Sequence, residues 1–144
     1  MIDKLFNLAF PVAVPFWALM ILVPGWSWTR RIIGSPLIVL APLAVYFATV
    51  ATILPEFAAE MLSPDLAGVQ ALLSTPAGTA TVWAHLIAFD LFIGRWMYLD
   101  SRERRIHGLV MAPVLVLTIL LSPFGLVSYL VIRTIRGSAG RRST

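Results

Sequence analysis

Long hydrophobic runs separated by short polar segments divide this chain into four stretches. They predict helices over about residues 5–24, 37–55, 79–100 and 108–133. At about 1.5 Å of rise per residue, such a run is long enough to cross a hydrocarbon core of about 30 Å. The pattern therefore predicts an all-α polytopic membrane protein. We expect a four-helix transmembrane bundle in a single domain over residues 1–136, followed by a disordered basic tail over residues 137–144.

Prolines interrupt three of these four runs and predict kinked helices, because proline removes a backbone hydrogen bond inside a helix. The prolines concerned are Pro11 and Pro15 in the first run, Pro42 in the second, and Pro113 and Pro123 in the fourth. The third run contains none and is expected to be straight. Whether the fourth run is continuous or broken around Pro123 is left open by the sequence, since a broken segment would return the chain to the side it came from.

The connection between the second and third runs is acidic and contains no lysine or arginine over residues 56–78. Ser63 followed by Pro64 fits an N-cap with proline at the first helical position. The connection is therefore expected to form a short surface helix near residues 64–73.

Composition agrees with a lipid environment. The chain is 59% hydrophobic and only 12% charged, with a mean hydropathy of +0.88. A water-soluble protein of this size could not cover so much apolar surface. Cysteine is absent and the two histidines, His85 and His107, are far apart, so we expect no metal site and no cofactor.

Basic residues flank the hydrophobic runs, where they face lipid headgroups and set membrane orientation. The net charge of +4 therefore indicates membrane lipids as partners, and no nucleic acid is expected. Arg30 and Arg31, beside two interfacial tryptophans, and the loop after Asp100 are expected on the cytoplasmic side. Asp100 and Arg104 stand four residues apart, a spacing that supports a helix through an ion pair.

The third run carries three ionisable residues, His85, Asp90 and Arg95. Asp90 lies near its middle, where an aspartate facing lipid costs about 2.5–3.5 kcal/mol, so Asp90 should face the protein interior, be protonated or be paired. Neighbours among the three are five residues apart, which on a helix means a rotation of about 140° and a rise of about 7.5 Å. A site using all three needs groups from other helices.

Two interpretations of these residues are open. In the functional one, Asp90 and His85 act as acid and base while Arg95 orients a ligand or binds its oxygen. In the structural one, Asp90 hydrogen-bonds to packing residues such as Thr118 or threonines of the second helix, and Arg95 extends to the membrane edge near Asp100.

The combination of two motifs resembles the ABA4-like family of small membrane proteins. The first motif is His85, Asp90 and Gly94-Arg95-Trp96, followed by Asp100-Ser101-Arg102. The second is Ser122-Pro123-Phe124-Gly125-Leu126, closing with Tyr129, Leu130 and Arg133. The resemblance spans the second to fourth predicted helices, and neither motif would suffice alone.

The resemblance implies a role in carotenoid metabolism, because plant members are required to make neoxanthin from violaxanthin, a step that opens an epoxide and forms an allene. The implied partner is a carotenoid or related isoprenoid lipid, and the implied enzyme is an isomerase. The alternative is a non-catalytic subunit or assembly factor that binds other membrane subunits, in a photosynthetic complex for example. A short chain with no evident plastid transit peptide suggests a bacterial inner membrane or a thylakoid-type membrane.

Overall fold

A computed structural model describes residues 1–140, with side chains described up to residue 136, and every regular element in this range is a helix. The α-helices in chain order are α1 (Ile2–Ala9), α2 (Val14–Leu22), α3 (Ser27–Gly34), α4 (Leu40–Val50), α5 (Leu54–Leu62), α6 (Leu66–Leu73), α7 (Pro76–Glu103), α8 (Gly108–Leu120) and α9 (Ser122–Gly140). A 3₁₀ turn over Pro36–Val39 precedes α4. The all-α prediction is confirmed for this part of the chain.

Two helical stretches in the described range are long and apolar enough to cross a membrane, Ile2–Leu22 and Pro76–Glu103. A third crossing is counted only if the bent pair Ser27–Gly34 and Pro36–Val50 is taken as one span. By length and composition the structure therefore has two or three candidate spans, where the hydrophobic runs predicted four.

The first predicted helix corresponds to the candidate span Ile2–Leu22, in which α1 and α2 are joined by hydrogen-bonded turns around Pro11. The third predicted helix is longer than expected, because α7 begins at Pro76, where proline suits the first turn. It ends in two hydrogen bonds, from the Ile106 amide to the Ser101 carbonyl and from the Arg105 amide to the Arg102 carbonyl. Arg105 has a φ of 54°, the left-handed conformation of a Schellman cap.

The prediction of one helix over residues 37–55 was wrong. The helix α4 ends at Val50, and α5 begins as a separate helix at Leu54. Pro55 has no amide hydrogen to continue the helical ladder to the carbonyl of Ala51. At the C-terminal end of α4, the Thr49 hydroxyl donates to the Tyr46 carbonyl and the Thr52 hydroxyl donates to the Thr49 carbonyl.

The fourth predicted helix, over residues 108–133, is not continuous. It is divided at Leu121, whose φ of −146° and ψ of 76° end α8, and α9 begins at Ser122. Pro123 occupies the first turn of α9, where its missing amide hydrogen is tolerated. The alternative of a broken segment is the one that the structure adopts.

The acidic connection contains the expected short helix, α6, but its cap differs. The side chain of Asp65 accepts a hydrogen bond of 2.9 Å from the Gly68 amide and is the N-cap, whereas Ser63 ends the preceding helix α5. The predicted cap at Ser63 was therefore wrong by two residues. Of the predicted disordered tail, residues up to Gly140 belong to α9 and the last four lie outside the described range.

The chain forms two compact units. The first contains Met1–Val14 and Val39–Phe89, and α1 packs against α4 within it. Its buried cluster is formed by Ala9, Val45 and Ala84, with Leu5, Val12 and Tyr46 packed around them.

The second unit contains Pro15–Ile38 and the chain from Asp90 onward. Close backbone approaches in this unit use glycine. A Cβ on Gly94 would lie 2.3 Å from the buried Trp17 ring, and one on Gly125 would lie 2.7 Å from the backbone of Thr118. The helices α8 and α9 therefore pack directly against each other, as a hairpin. The prediction of one transmembrane domain over residues 1–136 stays a prediction.

Candidate functional site

His85 lies on the exposed surface of α7 in the first unit, between aromatic rings. Its imidazole stacks on Phe89 at 4.5 Å between ring centroids and meets the Tyr46 ring edge-on at 5.7 Å. Among the described residues, no hydrogen bond reaches either ring nitrogen. An imidazole that is exposed on an apolar candidate span therefore keeps its polar atoms available to a ligand.

A shallow apolar groove lies on the same half of α7. It has a volume of about 340 Å³ and is lined by Phe6, Leu73, Thr79, Val82, Trp83 and Leu86. The rings of Phe6 and Trp83, which both line it, stack with 5.6 Å between their centroids. Apolar walls with stacked aromatic rings are typical of surfaces that bind a flat hydrocarbon ligand.

Asp90 is half-buried in the second unit, where Ser122, the first residue of α9, is its neighbour. The Ser122 hydroxyl is buried beside the Asp90 carboxyl but makes no hydrogen bond of standard geometry. The prediction of a hydrogen bond between Thr118 and Asp90 was wrong, because the Thr118 hydroxyl donates to the Val114 carbonyl at 2.8 Å. Thr49 in α4 and Thr52 just after it likewise donate to carbonyls of α4.

Arg95 caps the C-terminal end of α3. Its Nε donates to the Ile33 carbonyl at 2.8 Å and its Nη2 donates to the Gly34 carbonyl at 2.6 Å. The last carbonyls of a helix have no partner within it, and a cation there also complements the helix dipole. The side chain is thus hydrogen-bonded to α3, and its extension to the membrane edge near Asp100 stays a prediction.

The interactions of the three predicted site residues differ in kind. His85 contacts rings, Asp90 faces a serine hydroxyl and Arg95 holds backbone carbonyls. Among the described residues, no hydrogen bond or ring contact joins any two of them. Their roles as acid, base and orienting group stay predictions.

The structure also forms a polar cluster, at the C-terminal end of α7, that the sequence did not assign. The Oδ2 atom of Asp100 accepts hydrogen bonds from the Tyr129 hydroxyl, from Arg104 Nε at 2.7 Å and from Arg133 Nε at 3.0 Å. Arg133 Nη2 adds a long contact of 3.4 Å to Oδ1. The pair of Asp100 with Arg104 is confirmed, and the other two donors connect α7 to α9.

Aromatic packing completes this cluster. The Trp96 ring meets the Tyr129 ring edge-on at 5.5 Å, and the Arg133 guanidinium lies 5.9 Å from the Trp96 centroid. Tyr129 is fully buried and the Asp100 side chain is 14% exposed. One signal was present in the sequence, since Tyr129 and Arg133 stand four residues apart and so share a helix face.

Among the described residues, no three histidine, cysteine or carboxylate side chains lie close enough together to hold a metal ion. The predicted site residues His85 and Asp90 offer an imidazole and a carboxyl, and aromatic rings pack beside the imidazole.

Fold and site together define a small helical protein with candidate membrane spans and an aromatic, histidine-bearing surface. The chain belongs to the ABA4-like family, since the family model described as ABA DEFICIENT 4-like matches residues 4–129. The recognition made from the two motifs is thereby confirmed.

A curated relative is the chloroplastic Protein ABA DEFICIENT 4 of Arabidopsis thaliana. It is 29% identical over 139 residues, which cover 92% of this chain and 62% of the relative. The chain thus spans somewhat less than two thirds of the length of that protein. No solved structure matches the chain.

Proposed function

We propose that this chain is an integral membrane protein of carotenoid, specifically xanthophyll, metabolism, and that it isomerises a carotenoid or related isoprenoid lipid. Membership of the ABA4-like family supports the metabolic role. The observation that supports the ligand class is the exposed imidazole of His85 between the rings of Tyr46 and Phe89, with neither ring nitrogen hydrogen-bonded among the described residues.

The physical argument concerns the cost of a polar group on an apolar surface. An unpaired imidazole on a candidate membrane span is unfavourable, because lipid tails offer no hydrogen bond. A ligand that is mostly hydrocarbon but carries an oxygen atom matches both the apolar aromatic surface and the polar imidazole. Its chain packs on the aromatic rings and the groove, and its hydroxyl or epoxide oxygen bonds to His85.

Size agrees with this ligand class. A carotenoid is about as long as the hydrocarbon core is thick, roughly 30 Å. The 28 residues of α7 rise about 42 Å, so that a polyene lying along the helix stays within its length.

The proposed reaction moves protons without changing the composition of the ligand. One proton is removed from a carbon next to the epoxide, a carbon–carbon double bond forms, the epoxide C–O bond breaks, and the oxygen takes up a proton as a hydroxyl. We assign the acid and base roles to Asp90 and His85, and the orientation of the oxygen to Arg95. The chloroplast location in the relative's name supports a thylakoid-type membrane as the site of action.

Pigment profiles test the proposal. Cells that lack the gene are complemented with wild type, His85→Gln, Asp90→Asn or the control His107→Asn, and their carotenoids are separated by chromatography. His107 is the chain's second histidine and caps α8 by accepting from the Leu109 amide, a role that asparagine retains. Wild type and the control should restore the pigment lost on deletion, and the other two variants should not. Unchanged pigments after deletion would contradict the metabolic role.

A second candidate, a non-catalytic subunit of a membrane complex in contact with other membrane subunits, is favoured by one observation. Arg95 and Asp100, both charged, are engaged in holding helices of the second unit together rather than facing a ligand. The purified protein in lipid nanodiscs, supplied with an epoxide xanthophyll, separates the two functions. An isomeric product formed by wild type but not by Asp90→Asn supports the isomerase. Pigment change in cells without any turnover by the purified protein supports the subunit.

A further inference from the structure

A cleft in the second unit brings together two arginines that have no acidic partner. It has a volume of about 330 Å³ and is lined by Pro24, Gly25, Trp26, Ser27, Arg30 and Arg102. Among the described residues, neither guanidinium takes part in an ion pair or a hydrogen bond. Two cations that share a cleft without a counter-charge repel each other, so an anion bound between them is favoured.

Buried hydroxyls fix the backbone of this cleft. The Thr29 hydroxyl donates to the Val23 carbonyl at 2.9 Å, and the Tyr98 hydroxyl donates to the Pro24 carbonyl at 2.7 Å. Both side chains are at most 1% exposed. The Pro24 ring also packs so close to Gly108 that a Cβ there would lie 2.7 Å from it. The turn is therefore held in place before any ligand binds, which lowers the cost of binding.

Asp100, two residues before Arg102, makes no ion pair with either arginine among the described residues. Asp100 already accepts from Arg104, Arg133 and Tyr129, which use its Oδ2 atom fully. Within the described part of the chain, the guanidinium donors of Arg30 and Arg102 are therefore open to a group from outside the chain.

Neighbouring tryptophans indicate the depth of the cleft in a membrane. Trp26 lines it and Trp28 follows two residues later, and each is 52% exposed. Indole rings exposed beside arginines settle at the level of lipid headgroups. Phosphate and sulfonate groups of anionic lipids lie at this level, and guanidinium forks match their oxygens.

We propose that this cleft binds one tetrahedral oxyanion, the phosphate or sulfonate of an anionic lipid headgroup, between Arg30 and Arg102. The site is separate from the His85 surface and does not rest on the function proposed above.

Native mass spectrometry of the full chain released from nanodiscs tests the site. The discs contain phosphatidylcholine with or without phosphatidylglycerol. The variants are Arg30→Gln and Arg102→Gln, and the controls are Arg31→Gln and Arg105→Gln, which remove the same charge at nearby chain positions that do not line the cleft. Arg31 instead stacks on Trp28 at 5.4 Å. Wild type and both controls should retain one phosphatidylglycerol, and each cleft variant should retain about tenfold less. Thermal unfolding of every variant confirms that the fold is kept.

Equal losses in cleft and control variants would overturn the proposal, because they would indicate diffuse attraction to surface charge. Retention of the lipid by the Arg30→Gln, Arg102→Gln double variant would overturn it as well. Inorganic phosphate added to discs of phosphatidylcholine alone distinguishes the sources. Phosphate binding that Arg30→Gln abolishes supports the cleft with a free anion as ligand, and binding of neither anion overturns the site.

Discussion

At the scale of single residues, Asp100 shows how one carboxylate connects two helices. It receives three charged or polar donors on one oxygen atom, two of them from α9. Hydrogen bonds to a charged group contribute more than neutral ones, and the buried Tyr129 hydroxyl would otherwise have to find another partner. The cluster therefore positions α9 against the end of α7.

Replacing Tyr129 with phenylalanine removes one of these donors and keeps the ring. We expect Tyr129→Phe to lower the free energy of unfolding by about 1.5–3 kcal/mol, the usual contribution of a hydrogen bond to a charged group. The measurement is reversible unfolding in mixed detergent micelles, followed by tryptophan fluorescence.

Tyr46→Phe is the matched control, since no hydrogen bond of the Tyr46 hydroxyl is found among the described residues. It should leave the unfolding free energy within about 0.5 kcal/mol of wild type. Equal effects of the two substitutions would mean that Tyr129 stabilises the protein through its ring alone.

At the scale of elements, the break at Leu121 turns one hydrophobic run into a helical hairpin. The 13 residues of α8 rise about 20 Å, too short to cross a hydrocarbon core of about 30 Å. The hairpin closes where Gly125 lies directly on the backbone of Thr118. A glycine at this point is required by the close approach of the helices, as in other small-residue helix contacts.

Gly125→Ala should therefore force α8 and α9 apart. A Cβ 2.7 Å from backbone atoms cannot be accommodated by rotating a side chain, and we expect a loss of about 1–3 kcal/mol of unfolding free energy. Gly34→Ala is the control, since a Cβ there would have no atom within 4 Å. If unfolding in micelles shows Gly125→Ala to be as stable as Gly34→Ala, the hairpin contact is not formed.

At the scale of the whole molecule, the hairpin affects membrane orientation. The ion pairs of Asp100 with Arg104 and Arg133 place the start of the basic tail at the same end of the second unit as the α7–α8 loop. Within the same unit, the cleft places Arg30 beside Arg102. By the positive-inside rule we expect this end on the cytoplasmic side.

Single cysteines test this orientation, and the chain has no native cysteine to interfere. Glu103→Cys and Arg136→Cys, both at exposed positions, should be labelled from the same, cytoplasmic, side by a membrane-impermeant maleimide applied to vesicles of known orientation. Labelling from opposite sides would mean that the fourth run crosses the membrane as one helix.

The sequence by itself determined that this protein is helical, apolar and a member of the ABA4-like family. Hydrophobic content decides between water and lipid as surroundings whatever the fold, and local motifs lie within short stretches of the chain. Both can therefore be recognised without a tertiary structure. It also identified the pairing of Asp100 with Arg104, because residues four apart on a helix are neighbours.

Only the tertiary structure decided where long hydrophobic runs break and which polar groups meet. Pro123 was compatible with a kink or with a full break, and the packing of Gly125 on Thr118 decided for the break. The hold of Arg95 on α3 and the contact of Tyr129 with Asp100 join residues far apart in the chain. Such contacts depend on how helices pack, because hydrophobic periodicity specifies which face of a helix is buried and not which partner buries it.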